Sequence, residues 1–271
     1  MAAAISIENL THKYPNGREA LRSVNLQVED GAVVGLIGRN GAGKTTLAKH
    51  LNSLLKPTSG RLSVLGVNVS DKTTSEMADI VGYVFQNPED QIFESTVLDE
   101  VAFGPKNLGI DPKQIVKDVH SSLELVGLLQ LQSEHPYNLT YGQRKMLCIA
   151  SVLATHPSIV ILDEPNVGQD YHGLQSLSHV LSDLQKNGKT IVIISHDIEF
   201  VAQHTQETVL MDNGQIIAKG KTRHVLSDFD SLETSAVRPP QVTRLAAALS
   251  RFGIRRDIIT VSEMADTLAS R

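Results

Sequence analysis

Apolar and polar positions divide the chain into strand-like and helix-like stretches that follow one another in turn. "ISIENLTHKY" alternates apolar and polar residues, and "LRSVNLQVEDG" resumes the alternation after the turn "PNGRE", so residues 5–35 read as short strands. "GAVVGLIG" is instead a continuous apolar run, as expected of a parallel strand buried on both faces. It breaks at a glycine-rich loop and turns helical in "KTTLAKHLNSLL". "GRLSVLGVNV" predicts two further short strands and "IVGYVF" another buried one. From about Pro88 to Pro157 the spacing is helical, most clearly in "DPKQIVKDVHSSLELVGL". "SIVILDE" and "TIVIISH" read as buried strands flanking the helix "GLQSLSHVLSDLQKNG". "ETVLMDNGQIIAKG" predicts a hairpin turning at Asn213-Gly214. After about Ser235 the composition shifts to a Pro-opened helix, "VRPPQVTRLAAALSRFGI", and a second helix, "TVSEMADTLAS", with Ser262 as its N-cap. The alternation predicts an α/β domain with a helical subdomain at about 88–157 and a small C-terminal extension over 236–271.

Composition narrows the class. The 271 residues suffice for one large domain with an appendage, and 41% hydrophobic with 20% charged residues is ordinary for a globular protein. Aromatic content is only 4% and there is no Trp, so the core rests on Leu, Ile, Val and Ala. A formal net charge of −5 gives no basic footprint and argues against a nucleic-acid partner. The one cysteine, Cys148, has no internal disulfide partner and reads as a buried thiol in a reducing compartment. "MAAAISIENL" lacks the pattern of a signal peptide, and no apolar run approaches the ~20 residues that cross a bilayer. The expectation is a cytoplasmic protein that serves any membrane process through another, spanning chain. Ten histidines are scattered without a ligand cluster, which argues against a metal-binding protein.

Several stretches carry chemistry. "GRNGAGKT" matches G-x-x-x-x-G-K-[ST] at Gly38, Gly43, Lys44 and Thr45. The glycines let backbone N–H groups turn toward phosphates, Lys44 brings charge to them, and the Thr45 hydroxyl is a Mg2+ ligand. The helix that follows points its positive end at the same anion. "IVILDEP" ends an apolar strand in Asp163 and Glu164, at the sheet edge where α/β folds bind ligands. Asp163 suits Mg2+ held through water, and Glu164 suits polarising the attacking water. His196 ends another buried strand, and Gln86 closes the strand "IVGYVF", where it could ligate Mg2+ or hold the water. Tyr14, upstream of the phosphate loop, is an aromatic that could stack on adenine. "NLTYGQRK" reads as a helix start capped by Thr140.

In this order and spacing, Tyr14, "GRNGAGKT", Gln86, "LTYGQ", "ILDEP", "VGQD" and "SHD" resemble the nucleotide-binding domain of ATP-binding cassette (ABC) proteins, over about residues 5–225. The resemblance implies a P-loop NTPase fold, with a mainly parallel sheet and an N-terminal antiparallel β subdomain, in an ATP-binding domain over 1–235. It implies ATP and Mg2+ as cofactors, with Tyr14, Asn40, Gly41, Gly43, Lys44, Thr45 and Thr46 on the nucleotide. Thr45, Gln86 and Asp163 would hold the metal, and Glu164, His196 and Gln86 would be catalytic. Two such domains pair head to tail, so Thr140, Gly142, Gln143 and Asp170 would contact the partner's ATP. Closure on ATP and release after hydrolysis would then drive a membrane partner.

Within the family, "VFQNPEDQIFESTVLDEVAFGPKNLG" and the tail "PPQVTRLAAAL…GI…DIITVSEMADTL" are similar to the ATPases of energy-coupling-factor importers, which take up vitamins or cobalt and nickel ions. By that resemblance the partners are a second ABC ATPase subunit, a transmembrane coupling protein and a membrane substrate-binding protein. The chain would sit on the cytoplasmic face of the membrane, peripheral through those subunits, with the C-terminal extension stabilising the dimer. Acidic Glu89, Asp90 and Glu94 follow Gln86 and would meet arginines of the coupling protein. Two stretches depart from the family pattern: Leu139-Thr140-Tyr141-Gly142-Gln143, where Ser then Gly are usual at the second and third places, and Asn166-Val167-Gly168-Gln169-Asp170, where Thr-Ala-Gly-Leu-Asp is commoner. Tyr141 is bulkier than the Gly it replaces, and Gln169 stands where an apolar residue usually packs between subunits, a combination that fits pairing with a different ATPase chain. The competing readings are a soluble ABC-family ATPase outside transport and a regulatory ATP-binding module with weak hydrolysis. Chains of the former kind are expected to carry tandem cassettes or long basic insertions, a pattern these 271 residues do not display. Intact Lys44, Asp163, Glu164 and His196 argue against the latter.

Overall fold

A computed structural model describes residues 3–270. In chain order, β1 (Ala3–Lys13) and β2 (Glu19–Glu29) precede β3 (Val33–Ile37), α1 (Lys44–Leu51), β4 (Ser59–Val64) and β5 (Val67–Asn68). Next come α2 (Thr74–Met77), β6 (Val81–Val84), α3 (Val97–Asn107), α4 (Pro112–Leu125), α5 (Tyr141–Leu153), β7 (Ile159–Asp163), α6 (Tyr171–Lys186) and β8 (Thr190–Ile194). The remaining elements are α7 (Ile198–His204), β9 (Glu207–Asp212), β10 (Gln215–Lys221), α8 (Thr222–Ser227), α9 (Phe229–Thr234), α10 (Gln241–Ala248) and α11 (Val261–Ala269). The chain forms two compact units: one takes it up to Asp71 and again from Val192, the other is Lys72–Ile191.

In the first unit, β2-β1-β4-β5 make an antiparallel sheet. The alternation in β1 puts Ile5, Ile7 and Leu10 inside, and the register opposes Ile7 to Leu26 and Leu62. All five residues of β3 are buried, as its unbroken apolar run predicts. β3 pairs parallel with β9, and β9 antiparallel with β10 through the Asn213-Gly214 turn. Gly35 lets α7 close on β3, for a Cβ there would stand 2.7 Å from Val201 Cγ1. Ile37, Val201, Leu210, Leu226 and Leu232 share one core, to which the C-terminal segment contributes Ile259. Burying an aliphatic side chain of this size contributes about 1.5–3 kcal/mol.

The C-terminal extension has a small core of its own, Ala246, Ile254, Ile258 and Met264, and Thr243 Oγ1 donates to the Ile258 carbonyl at 2.8 Å. Its last helix begins earlier than the sequence pattern suggests. Thr260, with extended backbone, accepts from the Glu263 N–H and is the N-cap, which leaves Ser262 inside the first turn. Capping from Thr260 sets Glu263 at the third helical position, where its carboxylate pairs with Arg223.

In the second unit β6 and β7 run parallel, from Val81 opposite Ile159 to Val84 opposite Leu162, and all their residues are buried. Gly82 lets α5 lie on β6, since a Cβ would collide with Val152 and Pro157. The helical stretch resolves into α3, capped by Thr96, α4, capped by Asp111 with Pro112 in its first turn, and α5. α4 buries Ile115, Val119, Ser122 and Leu123, the stripe its sequence predicts. One element has no apolar period to announce it: α2 is a single turn held by a Thr73–Glu76 capping box. Parallel strand pairs, an antiparallel N-terminal sheet and covering helices make this an α/β fold, as expected.

The Arg223–Glu263 pair fastens α11. Arg223 Nη1 also donates to the Asp257 carbonyl at 2.7 Å, and hydrogen bonds from Arg223 hold the Glu263 carboxyl below the usual carboxylate range. A depressed folded pKa means stabilisation that is present above the free glutamate value, about 4.3, and lost as pH falls through the lower folded value. Arg223→Ala should therefore loosen the segment by about 1 kcal/mol, read as faster amide exchange over 254–270 at neutral pH. Acidifying the parent protein should lower its protection factors over the same residues, after correction for the slower intrinsic exchange in acid, part of the way toward the variant's, because the bond from Arg223 to the Asp257 carbonyl survives.

Candidate active site

The phosphate loop joins β3 to α1. Gly38, Gly41 and Gly43 have φ of 146°, 79° and 105°, values that an L side chain rarely adopts. At Gly43 space is also lacking, because a Cβ would stand 2.7 Å from the Ala20 carbonyl oxygen. Gly43 gives α1 no side-chain cap, and uncapped helix starts of this kind are where proteins commonly bind anions. Lys44 is buried across the loop, donating to the carbonyls of Gly38 at 2.7 Å and Arg39 at 3.1 Å. Thr46, one turn in, shares a 3.0 Å hydrogen bond with the Tyr14 hydroxyl. Tyr14 in turn meets the His12 ring edge-on, with centroids 4.7 Å apart.

The loop is braced from behind by the turn between β9 and β10. The Gly214 N–H donates to the Ala42 carbonyl at 3.0 Å, and the Arg22 N–H to the Gly214 carbonyl at 2.9 Å. Arg39 Nη2 donates to Asn213 Oδ1 at 2.7 Å, and Arg39 Nε lies 2.6 Å from Asp212 Oδ1 as an ion pair. The hairpin signal Asn213-Gly214 thus marks a support of the loop as well as a turn. His196 follows β8 and is exposed. Next to it, Asp197 caps α7 by accepting from the Phe200 N–H at 2.9 Å. His196 lines a cavity of about 340 Å3 with Gly38, Arg39, Arg238 and Arg244, which brings the histidine, the loop and the C-terminal extension together.

The second unit carries the carboxylates. Asp163 ends β7, buried, and accepts a 2.9 Å hydrogen bond at Oδ2 from the Tyr83 hydroxyl of β6. Burial and the neighbouring Asp163 push the Tyr83 phenol up, so it stays protonated and donates. Glu164 is buried too, and its φ of 50° is a left-handed backbone that costs a non-glycine residue about 1–3 kcal/mol. That turn separates Glu164 from the strand direction that fixes Asp163. Gln86, two residues past β6, is exposed. Its backbone carbonyl and those of Phe85 and Asp163 all accept from Lys145. Cys148, one turn along α5 from Lys145, is the buried thiol expected, and burial pushes it up to about 12.

Thr140 is the N-cap of α5, and Gln143 completes a capping box: its Oε1 accepts from the Thr140 N–H at 2.9 Å. Thr140, Gly142, Gln143 and Asp170 line one recess of about 440 Å3, so the four residues assigned to a partner's nucleotide share a surface. The two departures from the family pattern meet there. The Tyr141 ring covers Gly168, where a Cβ would strike it, and Gln169 Nε2 donates to the Gly142 carbonyl at 3.2 Å. Asp170 caps α6 through the Gly173 N–H at 2.8 Å.

Sequence reasoning misses Tyr83 and Lys145, which bond to Asp163 and to the backbone of Gln86, and Arg39, which ties the phosphate loop to the β9–β10 turn. A signal exists for two of them. A phenol inside the buried strand "IVGYVF" needs a polar partner, and so does a lysine on the apolar face of "KMLCIASVLA".

A glycine-lined phosphate loop opening a helix, with strand-end carboxylates, defines a P-loop nucleotide-binding protein of the α/β class. A family described as ABC transporter matches residues 21–167, more than half of the 271, and the chain belongs to that family. It is 40% identical over 276 residues to the energy-coupling factor transporter ATP-binding protein EcfA2 of Clostridium perfringens, covering 98% of this chain and 97% of that one. A putative ABC transporter ATP-binding protein of Methanosarcina mazei is 39% identical over 261 residues; the match takes in 96% of this chain and 44% of the relative, so the chain spans under half its length. Among solved structures, cbiO1 from Clostridium perfringens, described as part of the ABC transporter complex cbiONQ, superposes with a TM-score of 0.77 at 32% identity, covering 90% of this chain and 99% of that one.

Gly43→Ala should destabilise the protein by more than about 1 kcal/mol, because it adds steric contact to a left-handed backbone. Thermal unfolding should register the drop, and equilibrium titration with a fluorescent ATP analogue should show lost affinity.

Proposed function

We propose that the chain is the ATP-hydrolysing, energising subunit of a membrane importer of the energy-coupling-factor type, taking up a vitamin or a cobalt or nickel ion. The observation that carries this reading is likeness to EcfA2 along nearly the whole of both chains, with the phosphate loop, Asp163 and Glu164 all present. Lys44, Thr45 and the loop residues Asn40, Gly41, Gly43 and Thr46 hold the phosphates, and Tyr14 supports the adenine. The donor set fits Mg2+: the Thr45 hydroxyl, the Gln86 amide oxygen and the Asp163 carboxylate are hard oxygens. Among the described residues no group of three or more His, Cys, Asp or Glu could hold a metal alone, which suits an ion bound jointly with nucleotide phosphates. When bound, Mg2+ neutralises charge on the β- and γ-phosphates.

Glu164 polarises a water, which attacks the γ-phosphorus in line as the bond to the ADP oxygen breaks, with the proton leaving toward the carboxylate. Gln86 helps hold that water. His196 acts on the γ-phosphate side, and Lys44 steadies the charge that builds there. Thr140, Gly142, Gln143 and Asp170 serve the ATP of a second ATPase subunit. Tyr141 and Gln169 favour a different ATPase chain over a second copy as that partner, with two unequal sites.

The transmembrane coupling protein and a membrane substrate-binding protein complete the assembly. No helix among the described residues is long and apolar enough to cross a membrane. Membrane association is then peripheral, on the cytoplasmic face, with the coupling protein docking just after Gln86. There Glu89, Asp90 and the exposed Phe93, stacked edge-on with Phe103 at 4.5 Å, offer acid and apolar surface side by side. The segment 236–271 stabilises the ATPase pair.

Glu164→Gln should bind ATP with unchanged affinity while turnover falls by two orders of magnitude or more. His196→Ala should behave similarly; an unchanged rate in Glu164→Gln would remove the base assignment. Reversing the charge with Asp90→Lys should cut recovery of the complex from solubilised membranes and leave the basal ATPase rate as it was.

A further inference from the structure

Lys145 has no exposed surface and is among the largest fully buried side chains of the chain. An ammonium has three N–H donors and no acceptor, and burying one without partners is prohibitive. Here it meets three backbone carbonyl oxygens: Phe85 at 3.0 Å, Gln86 in a short contact, and Asp163 at 3.2 Å. These carbonyls lie where the parallel strands β6 and β7 end, past the ladder that would otherwise engage them. Burial pushes the Lys145 ammonium down to about 8, while Cys148, Asp163 and Glu164 pull it up.

A second tie runs between the same elements. Gln91 Oε1 accepts from the Phe85 N–H at 3.1 Å, and Gln91 Nε2 donates to the Cys148 carbonyl at 3.1 Å and to Ser151 Oγ at 3.2 Å. The backbone that carries Gln86 is therefore fixed to α5 from both sides. α5 is also the helix whose first turn holds Thr140, Gly142 and Gln143.

The geometry points to Lys145 as a positioning residue: its ammonium fixes the backbone of Gln86 and Asp163 to the helix that begins with Thr140. A displacement of α5 by a nucleotide at its start is carried to this chain's own metal-holding residues through Lys145, with Gln91 as the second tie. The inference rests on the proposed ATPase reading. Lys145 touches no reacting atom, and its effect passes through where Gln86 and Asp163 stand.

The test compares Lys145→Met, which keeps the length and removes the donors, with the parent protein in three measurements. Affinity for ATP in the absence of divalent metal should stay within about twofold. Binding of Mn2+ to the ATP complex, followed by electron paramagnetic resonance, should weaken at least fivefold. The turnover number should fall at least tenfold, with a smaller change in KM. Unchanged Mn2+ affinity and turnover would overturn the inference, and so would equal loss in all three, which marks a general structural role. Should Lys145→Met not fold, Gln91→Met carries the test, with the same split at smaller amplitude supporting the inference and parent-like values overturning it. A parent protein that binds ATP and never hydrolyses it sinks the ATPase reading and leaves the Mn2+ comparison to judge Lys145.

Discussion

A loop can turn its N–H groups toward a phosphate only if its backbone gives up the conformations that side chains prefer, and something else must then hold it. In this protein the hold comes from the β9–β10 turn. The Gly214 N–H anchors Ala42, the Gly214 carbonyl receives Arg22, and Arg39 closes on Asp212 and Asn213. Gly43 presses on Ala20, and a Cβ at Gly214 would stand 2.6 Å from the same carbonyl oxygen. Glycines 43 and 214 therefore converge on one peptide, which explains why neither position has room for a methyl group. The strand order follows from the same need, since β9 must lie beside β3 for its turn to reach the loop.

The second unit meets a related constraint with side chains. Two buried parallel strands end in carbonyls and a carboxylate that their own ladder does not engage, and each acquires a donor from a side chain of the unit. Tyr83 serves the Asp163 carboxylate, and Lys145 the peptide oxygens. The left-handed turn at Glu164 then follows a rigid platform, so its strain is held by the buried neighbours.

How much of this is legible in sequence depends on the range of the interaction. Buried strands, the glycine loop, the hairpin and the Thr140 cap are local patterns, and the chain displays them openly. α2 escapes because a four-residue turn has no period to detect. Ser262 misleads because serine and threonine both suit a cap. What decides for Thr260 is the contact of Glu263 with Arg223, 40 residues away in sequence. The supports of the site are more distant still: Lys145 and Phe85 are separated by 60 residues, Tyr83 and Asp163 by 80, Arg39 and Asn213 by 174. Sequence pattern names the residues that would meet a nucleotide, and long-range contacts supply the ones that hold them still.

The Tyr141 ring over Gly168 and the Gln169 amide on the Gly142 carbonyl make four adjacent or facing positions interdependent. A side chain at 168 collides unless the ring leaves. Removing the ring alone uncovers Gly168, and replacing Gln169 by an apolar residue strips a donor from the Gly142 carbonyl. The two departures are thereby locked into the same pair of segments, 141–142 and 168–169, each held by a partner that the facing segment supplies.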